Sequence, residues 1–134
     1  MIYPNQLPAF AAGTVVRADR GLYTHVGILA ELVPGRERNV ISLNPATQML
    51  EEPLSVFGRG QPLVLEPPLS SLHPSLVLAR ARSGTHPLYS WMEFNCEHFL
   101  CFAFGVELRS PQLHRFAAAA LLLAASVWVL RSHR

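Results

Sequence analysis

The sequence contains no lysine, so all 11 of its basic residues are arginines. Only 15% of the residues are charged, and no stretch combines clustered basic residues with interleaved aromatic ones, which argues against nucleic-acid binding. The chain also lacks a glycine-rich phosphate loop and any cysteine or histidine spacing suited to a metal, so we expect no cofactor and no metal ion. Half of the residues are hydrophobic, which excludes a disordered chain.

Cysteine is scarce as well, with only Cys96 and Cys101, and both fall within one predicted helix. Side chains on one helical face lie three or four positions apart, so we expect no disulfide between these two residues. Residues 1–13 lack the basic start and the long apolar run of a signal peptide. We therefore expect the main part of the chain to lie in a reducing compartment, on the cytoplasmic side of a membrane.

The most hydrophobic part of the sequence is residues 116–130 (FAAAALLLAASVWVL), which are apolar on every face of a helix and flanked by Arg115 and Arg131. Roughly fifteen residues give a helix of ~22 Å, shorter than the ~30 Å hydrocarbon core, and local thinning of the bilayer accommodates the difference. We interpret residues 113–134 as a membrane tail with a single span. The alternative is a hydrophobic helix that is buried in the protein or docked on its surface.

The distribution of charge fits a membrane tail, because residues 109–134 carry four arginines and no acid. The remainder of the chain has nine acids against seven arginines and is slightly acidic. A basic, apolar tail on an acidic body predicts contact with an anionic membrane surface.

Strand-like segments come first in residues 1–112, and helix-like segments come later. Within the second strand, His25, Gly27 and Leu29 share one face, while Val26 and Ile28 share the other. Strands followed by helices favour an α+β fold, a small antiparallel sheet of four or more strands packed against two helices. The pattern predicts strands at residues 14–18, 24–31, 39–44 and 63–66, helices at 74–83 and 95–104, and one or two helical turns within 47–57.

Residues 93–99 (EFNCEHF) place Cys96 in the first turn of a predicted helix, directly after Asn95, which is suited to cap it. Unsatisfied backbone N–H groups and the helix dipole stabilise a thiolate there, so the sequence predicts a lowered pKa for Cys96. The same N–H groups can stabilise an oxyanion on an attacked carbonyl. The spacing alone favours a plainer alternative, a small apolar residue in a helix–sheet interface, which is the role that we assign to Cys101.

A nucleophilic thiol also requires a base nearby in space. Of the six histidines, His25 is best placed, because its small and apolar strand neighbours can hold a half-buried imidazole in one orientation. His98 lies two residues after Cys96, on a different face of the helix, and is interpreted as structural, with a hydrogen bond to backbone. The others fall in loops or in the tail and are interpreted as solvated: His73, His86, His114 and His133.

Residues 95–99 (NCEHF) resemble the NCEHF signature of the lecithin retinol acyltransferase family. Residues 20–28 (RGLYTHVGI) resemble that family's tyrosine-containing block, which ends in the catalytic histidine and its strand. The order of histidine before cysteine also matches, and it is the circularly permuted version of the papain-like arrangement. The resemblance covers residues 13–112, with weaker matches at 54–65, 79–83 and 110–112. It implies that Cys96 is the nucleophile and that His25 is its general base.

In that family a third polar residue, usually a second histidine, lies on the next strand and orients the base. The matching stretch here is residues 40–45 (VISLNP), and Ser42 occupies the expected histidine position, which is a departure. A serine hydroxyl can accept a hydrogen bond from the imidazole. Asn44 lies on the same strand face, and asparagine has this role in papain-like proteases. The sequence leaves the third catalytic position open between Ser42 and Asn44.

These features predict a catalytic domain at residues 1–112, with a circularly permuted papain-like α+β fold, and a membrane tail at residues 113–134. The resemblance implies a phospholipid acyl donor, so the predicted activity is that of a phospholipid acyltransferase or phospholipase A, through a thioester on Cys96. The alternatives are a thiol peptidase or amidase of the related cell-wall hydrolases and a non-catalytic membrane adaptor. The sequence leaves open the acyl acceptor and the oligomeric state.

Overall fold

A computed structural model describes residues 10–132 of the chain. The part of the expected catalytic domain at residues 1–9 and the end of the expected tail at residues 133–134, with His133, lie outside the described residues. The elements follow one another as β1 (Val15–Asp19), β2 (Thr24–Leu29), β3 (Asn39–Asn44), β4 (Gln48–Pro53), α1 (Leu54–Gly58), β5 (Leu63–Glu66), α2 (Pro74–Arg82), α3 (Cys96–Phe104) and α4 (Pro111–Ser132).

The strands form one five-stranded sheet in the order β4-β3-β2-β1-β5, and every neighbouring pair is antiparallel. The predicted α+β class is therefore confirmed, and so is the prediction of a small antiparallel sheet. β2 lies at the centre of the sheet, between β1 and β3. Residues 27–29 of β2 are consequently paired with strands on both sides, whereas residues 24–26 are paired with β1 alone.

The prediction for residues 47–57 was wrong in its first half, because these residues begin with the strand β4 and only then form the helix α1. β4 pairs with β3 along its whole length, from Asn39↔Pro53 to Asn44↔Gln48. Methionine, leucine and glutamate favour helices in isolation, but pairing with a neighbouring strand overrides such weak local preferences. The turn that starts the hairpin is held by Asn44, whose side chain binds the residues after it.

The sheet separates two hydrophobic clusters, in line with the alternation predicted for β2. Val26 and Ile28 pack with α2 and α3 on one face, whereas Leu29 packs with α1 on the other. Arg80 of α2 also donates hydrogen bonds to the carbonyl oxygens of Phe102 and Ala103, which satisfies acceptors at the end of α3. α3 is thereby fixed against both the sheet and α2.

His86 is not the solvated residue that the sequence suggested. It is half-buried and its ring packs against three aromatic rings, those of Phe94, Phe99 and Phe102. An isolated histidine carries no apolar periodicity, so its inclusion in the α3 aromatic cluster depends on how the loop after α2 folds back.

α4 contrasts with the other helices, since none of its residues is buried. It has 22 residues and contains an 18-residue window with a mean hydropathy of 1.8, which makes it long and apolar enough to cross a membrane. α4 starts at Pro111, before the apolar run begins. Its 22 residues give a helix of ~33 Å, which is longer than the helix expected from the apolar run alone. The helix begins directly after Ser110, which is buried in the body.

Candidate active site

The first turn of α3 is built around Asn95. Its side-chain oxygen accepts hydrogen bonds from the backbone N–H groups of Glu97 (3.0 Å) and His98 (3.3 Å). The Nδ1 of His98 accepts in return from the backbone N–H of Asn95 at 3.1 Å, which completes a reciprocal capping box. The structural role predicted for His98 is confirmed, and the helix start that carries Cys96 is rigidly fixed.

Cys96 reaches the sheet where β2 and β3 separate. The pairing of these strands runs from Leu29↔Val40 only as far as Gly27↔Ser42, so the β3-facing backbone of residues 24–26 is free for other partners. The Sγ of Cys96 lies 3.9 Å from the carbonyl oxygen of Thr24, and the backbone of Val26 also hydrogen-bonds to it. The thiol is thus held against the two residues that flank His25.

His25 lies on the sheet face opposite α3 and is held from two sides. Its ring stacks on Phe57 of α1 with centroids 5.2 Å apart, and its Nε2 lies 3.3 Å from the Oγ of Ser42. Both His25 and Ser42 are buried. If Ser42 accepts from Nε2–H, the other ring nitrogen, Nδ1, keeps its lone pair and can receive a proton.

Asn44, the other candidate for the third catalytic position, stabilises a turn instead. Its Oδ1 accepts hydrogen bonds from the backbone N–H groups of Ala46 and Thr47 and from the Thr47 hydroxyl, at 2.8–3.0 Å. These bonds hold the turn between β3 and β4. Of the two alternatives that the sequence left open, the geometry therefore brings Ser42 to His25 and keeps Asn44 in the turn.

Cys96 and His25 line the same small cavity, which has a volume of about 160 Å³. Its walls are otherwise apolar or aromatic, and they are formed by Tyr23, Leu43, Pro45, Tyr89 and Trp91. The nucleophile and the base predicted from the sequence thus line one cavity at the end of the sheet. Cys96 approaches from the α3 face of the sheet, whereas His25 lies on the other face, beside α1.

Burial controls the ionisation of both groups. It lowers the pKa of His25 to about 4, and the positive charges of Arg20 and Arg59 add to this effect. Burial likewise raises the pKa of the Cys96 thiol, since its effect outweighs the hydrogen bonds from the Val26 backbone and Gln112 that favour the thiolate. The lowered pKa predicted for Cys96 was therefore wrong for this conformation. At neutral pH the site holds a neutral thiol and a neutral imidazole.

The hydrogen bonds of the Cys96 thiol in the described part of the chain join it to Thr24, Val26 and Gln112, and the imidazole is not among its partners. A direct transfer of the thiol proton to His25 therefore needs the two side chains to come closer than they are in this structure. Catalytic hydrogen bonds are often long or misaligned before substrate binds and shorten in the reactive complex.

Gln112 is a site residue to which the sequence assigned no role. Its Nε2 lies 3.8 Å from the Sγ of Cys96 and 3.4 Å from the carbonyl oxygen of Thr24, and its Oε1 accepts from the Thr24 N–H at 3.3 Å. Residues 110–112 were only a weak match in the family resemblance. Their distance from Cys96 along the chain gave no sign that the start of α4 contacts the thiol.

A second group of polar contacts fixes this start of α4 to α3. The buried carboxylate of Glu97 accepts hydrogen bonds from the Ser110 hydroxyl (2.6 Å) and the Gln112 backbone N–H (3.2 Å). The side-chain amide of Asn95 donates to the same Ser110 hydroxyl at 2.9 Å. A carboxylate at a helix N-terminus is favoured by the helix dipole. α3 and α4 therefore share one buried polar network beside Cys96.

Comparison with protein-family models, with curated proteins and with solved structures gave no match to this chain. Within residues 10–132, no group of three or more histidine, cysteine, aspartate or glutamate side chains is arranged to hold a metal ion.

Proposed function

We propose that this chain is a membrane-anchored thiol acyltransferase or phospholipase of the lecithin retinol acyltransferase type, with a circularly permuted papain-like arrangement. The observation that carries the proposal is that Cys96 and His25 line one cavity while Ser42 holds the Nε2 of His25. A thiol, a base and a residue that orients the base are the three groups that nucleophilic catalysis by cysteine requires.

In the proposed reaction, the sulfur of Cys96 attacks the ester carbonyl of a phospholipid. His25 takes the thiol proton and passes it to the departing lysophospholipid oxygen as the carbon–oxygen bond breaks, which leaves a thioester on Cys96. Water, an alcohol or an amine then attacks the thioester, and its proton returns to the sulfur through His25. Because both groups begin neutral, proton transfer accompanies the attack of the sulfur on the carbonyl.

Two kinds of donor beside Cys96 suit the oxyanion that forms in each step. One is the backbone N–H of Cys96 itself, since Asn95 already accepts from those of Glu97 and His98, and the other is the side-chain amide of Gln112, 3.8 Å from the Sγ. Asn95 and the polar network around Ser110 hold both kinds of donor in place.

Two features support a lipid substrate over a peptide. The cavity walls are mainly apolar and aromatic, which suits an acyl chain, and α4 offers a span long and apolar enough to anchor the site at a bilayer. The reaction would then draw its substrate from the membrane that holds the enzyme.

The proposal is tested by the intact mass of the full chain after incubation with phosphatidylcholine vesicles. Wild type and Cys101→Ala should gain the mass of one acyl group, hydroxylamine should remove it, and Cys96→Ala should gain nothing. Ser42→Ala should slow adduct formation by about 10²-fold, because the imidazole loses its orientation. No adduct in wild type, together with cleavage of a cell-wall peptide by the same sample, would show a peptidase instead.

A non-catalytic adaptor is a second candidate, and the neutral thiol bonded to Thr24 in place of His25 is the observation that favours it. An adaptor predicts that iodoacetamide modifies Cys96 no faster than Cys101, with or without vesicles. An enzyme predicts that vesicles of a non-hydrolysable ether phospholipid accelerate modification of Cys96 alone. Single-thiol variants, Cys101→Ala and Cys96→Ala, allow the two rates to be measured separately.

A further inference from the structure

Exposed apolar side chains lie in the chain segments that form the wall of the Cys96 cavity and at the start of α4. We call them the apolar rim: Leu22, Tyr23, Leu88, Trp91, Met92 and Phe116. Leu22 is 89% exposed, Leu88 75% and Met92 71%. Single exposed leucines are ordinary, but large exposed apolar patches on one side of a protein mark a surface that contacts another apolar phase.

The rim is tied to the cavity by chain connectivity. Tyr23, Tyr89 and Trp91 form part of the cavity wall, and Leu22, Leu88 and Met92 are their immediate neighbours in the sequence. The exposed side chains therefore belong to the same two chain segments as those that face the cavity. These side chains are exposed and are not part of the hydrophobic core of the body.

The rim is also continuous with α4. The ring of Phe116 lies 5.7 Å from that of Trp91, between ring centroids. A groove of about 300 Å³ runs between the β1–β2 turn and the first turns of α4, lined by Leu22 and Tyr23 on one side and by Arg115, Phe116 and Ala119 on the other. Leu22 thus lies at the level where α4 changes from the charged Arg115 to its apolar run.

These positions determine what covers the rim once α4 spans a bilayer. Arginine at the end of a span lies at the headgroups, and the residues that follow it lie among the acyl chains. Leu22 and Trp91 are held beside Arg115 and Phe116, so the same bilayer surface reaches them. The bilayer surface therefore covers the apolar rim.

We infer that the apolar rim inserts into the boundary between headgroups and acyl chains of the bilayer that α4 crosses, and that it seats the mouth of the Cys96 cavity on the membrane. This inference rests on the proposed membrane anchor and not on catalysis. Leucine, methionine and tryptophan at that depth contribute the apolar burial that holds peripheral proteins at membranes. Arg115 supplies a cation for lipid phosphates beside the groove.

The chain provides its own reporter, because it has only two tryptophans, Trp91 in the rim and Trp128 in α4. In the full-length Trp128→Phe variant, the emission comes from Trp91 alone. In Trp91→Phe it comes from Trp128 and reports the anchor. Both variants are reconstituted into phosphatidylcholine vesicles with and without bromine atoms at the shallow end of the acyl chains.

We expect brominated lipids to quench the emission of Trp91 by about half, as for an aromatic ring at the membrane interface. Adding Leu22→Ser, Leu88→Ser and Met92→Ser to Trp128→Phe should remove most of this quenching. A matched set of exposed residues that lie away from the rim, Leu32→Ser, Val33→Ser and Leu76→Ser, should leave it unchanged.

The result that overturns the inference is a Trp91 emission that brominated lipids do not change, whether or not Trp128 is quenched. Quenching of Trp91 that the rim substitutions leave intact would overturn it as well. Since no substrate turnover enters the measurement, failure here is distinct from failure to form an acyl adduct on Cys96. The two proposals can therefore fall separately.

Discussion

At the scale of single residues, burial determines the protonation states of the groups in the site. The sequence predicted Cys96 as nucleophile and His25 as base from a family resemblance, and it left the third position open between Ser42 and Asn44. It could not give their ionisation, since the pKa of each group depends on desolvation and on distant charges such as Arg59. It also could not separate Ser42 from Asn44, because the turn that engages Asn44 forms only when β4 pairs with β3.

The neutral state of His25 predicts a dependence of stability on pH. Its pKa is 6.5 in the unfolded chain and about 4 in the folded one, so the unfolded chain takes up a proton first on acidification. The stability that the neutral imidazole contributes is complete above the unfolded pKa and is lost as the pH falls towards 4. The full shift corresponds to about 3 kcal/mol.

Urea unfolding in detergent micelles at pH 7 and pH 4.5 measures this loss. We expect His25→Gln to show a smaller decrease in the free energy of unfolding between the two pH values than wild type. His114→Gln, at an exposed position on α4, serves as the control and should behave as wild type. Equal decreases in wild type and His25→Gln would contradict the buried, neutral imidazole.

At the scale of secondary structure, the elements with a strong local pattern were predicted and those that depend on partners were not. β3 and β5 were predicted with the observed bounds, and α3 with its cap, because alternation, capping and a final glycine mark them in the sequence. β4 was missed because its residues favour a helix in isolation, and β3 supplies the partner that overrides this preference.

Close packing of β2 against β3 predicts a strict size limit at Gly27. A Cβ atom there would lie 2.4 Å from the Val40 Cγ1 and 3.0 Å from the Ile41 carbonyl oxygen, so the Val40 side chain and the β3 backbone beside it would have to shift. We expect Gly27→Ala to lower the free energy of unfolding by about 1–3 kcal/mol through overpacking. It should also weaken the contact between His25 and Ser42, which lies next to this pair.

Gly58→Ala is the matched control, because a Cβ there meets only the side chain of Leu63 at ordinary distances, 3.5 Å or more. Chemical denaturation of both variants gives the comparison. A Gly27→Ala variant as stable as Gly58→Ala would contradict the observed register of β2 and β3.

At the scale of the whole molecule, α4 is joined to the body by a buried polar network and not by a flexible linker. The hydropathy of the tail predicted an apolar helix, but not that the helix would begin beside Cys96. That contact arises from Glu97, Ser110 and Gln112, whose pairing depends on the three-dimensional fold and leaves no local sequence signal.

Substitution of Ser110 tests this connection. Ser110→Ala removes the hydroxyl that donates to Glu97 and accepts from Asn95, and it leaves two buried polar groups without that partner. We expect the free energy of unfolding to fall by about 1–3 kcal/mol. Ser126→Ala, which removes a hydroxyl bonded only within the exposed part of α4, should have no such effect. Equal urea midpoints for both variants would contradict a structural role for the network.

Because no flexible linker separates the body from α4, the distance between Cys96 and the bilayer is restricted. With Arg115 at the headgroups, only residues 111–114 of α4, ~6 Å of helix, lie between the bilayer and Ser110. With α4 across a bilayer, the thiol stays at one height above the leaflet that it faces. Under the proposed function, lipids of an apposed vesicle or organelle are then out of reach of Cys96, and the enzyme would act on them only after membrane fusion or lipid exchange.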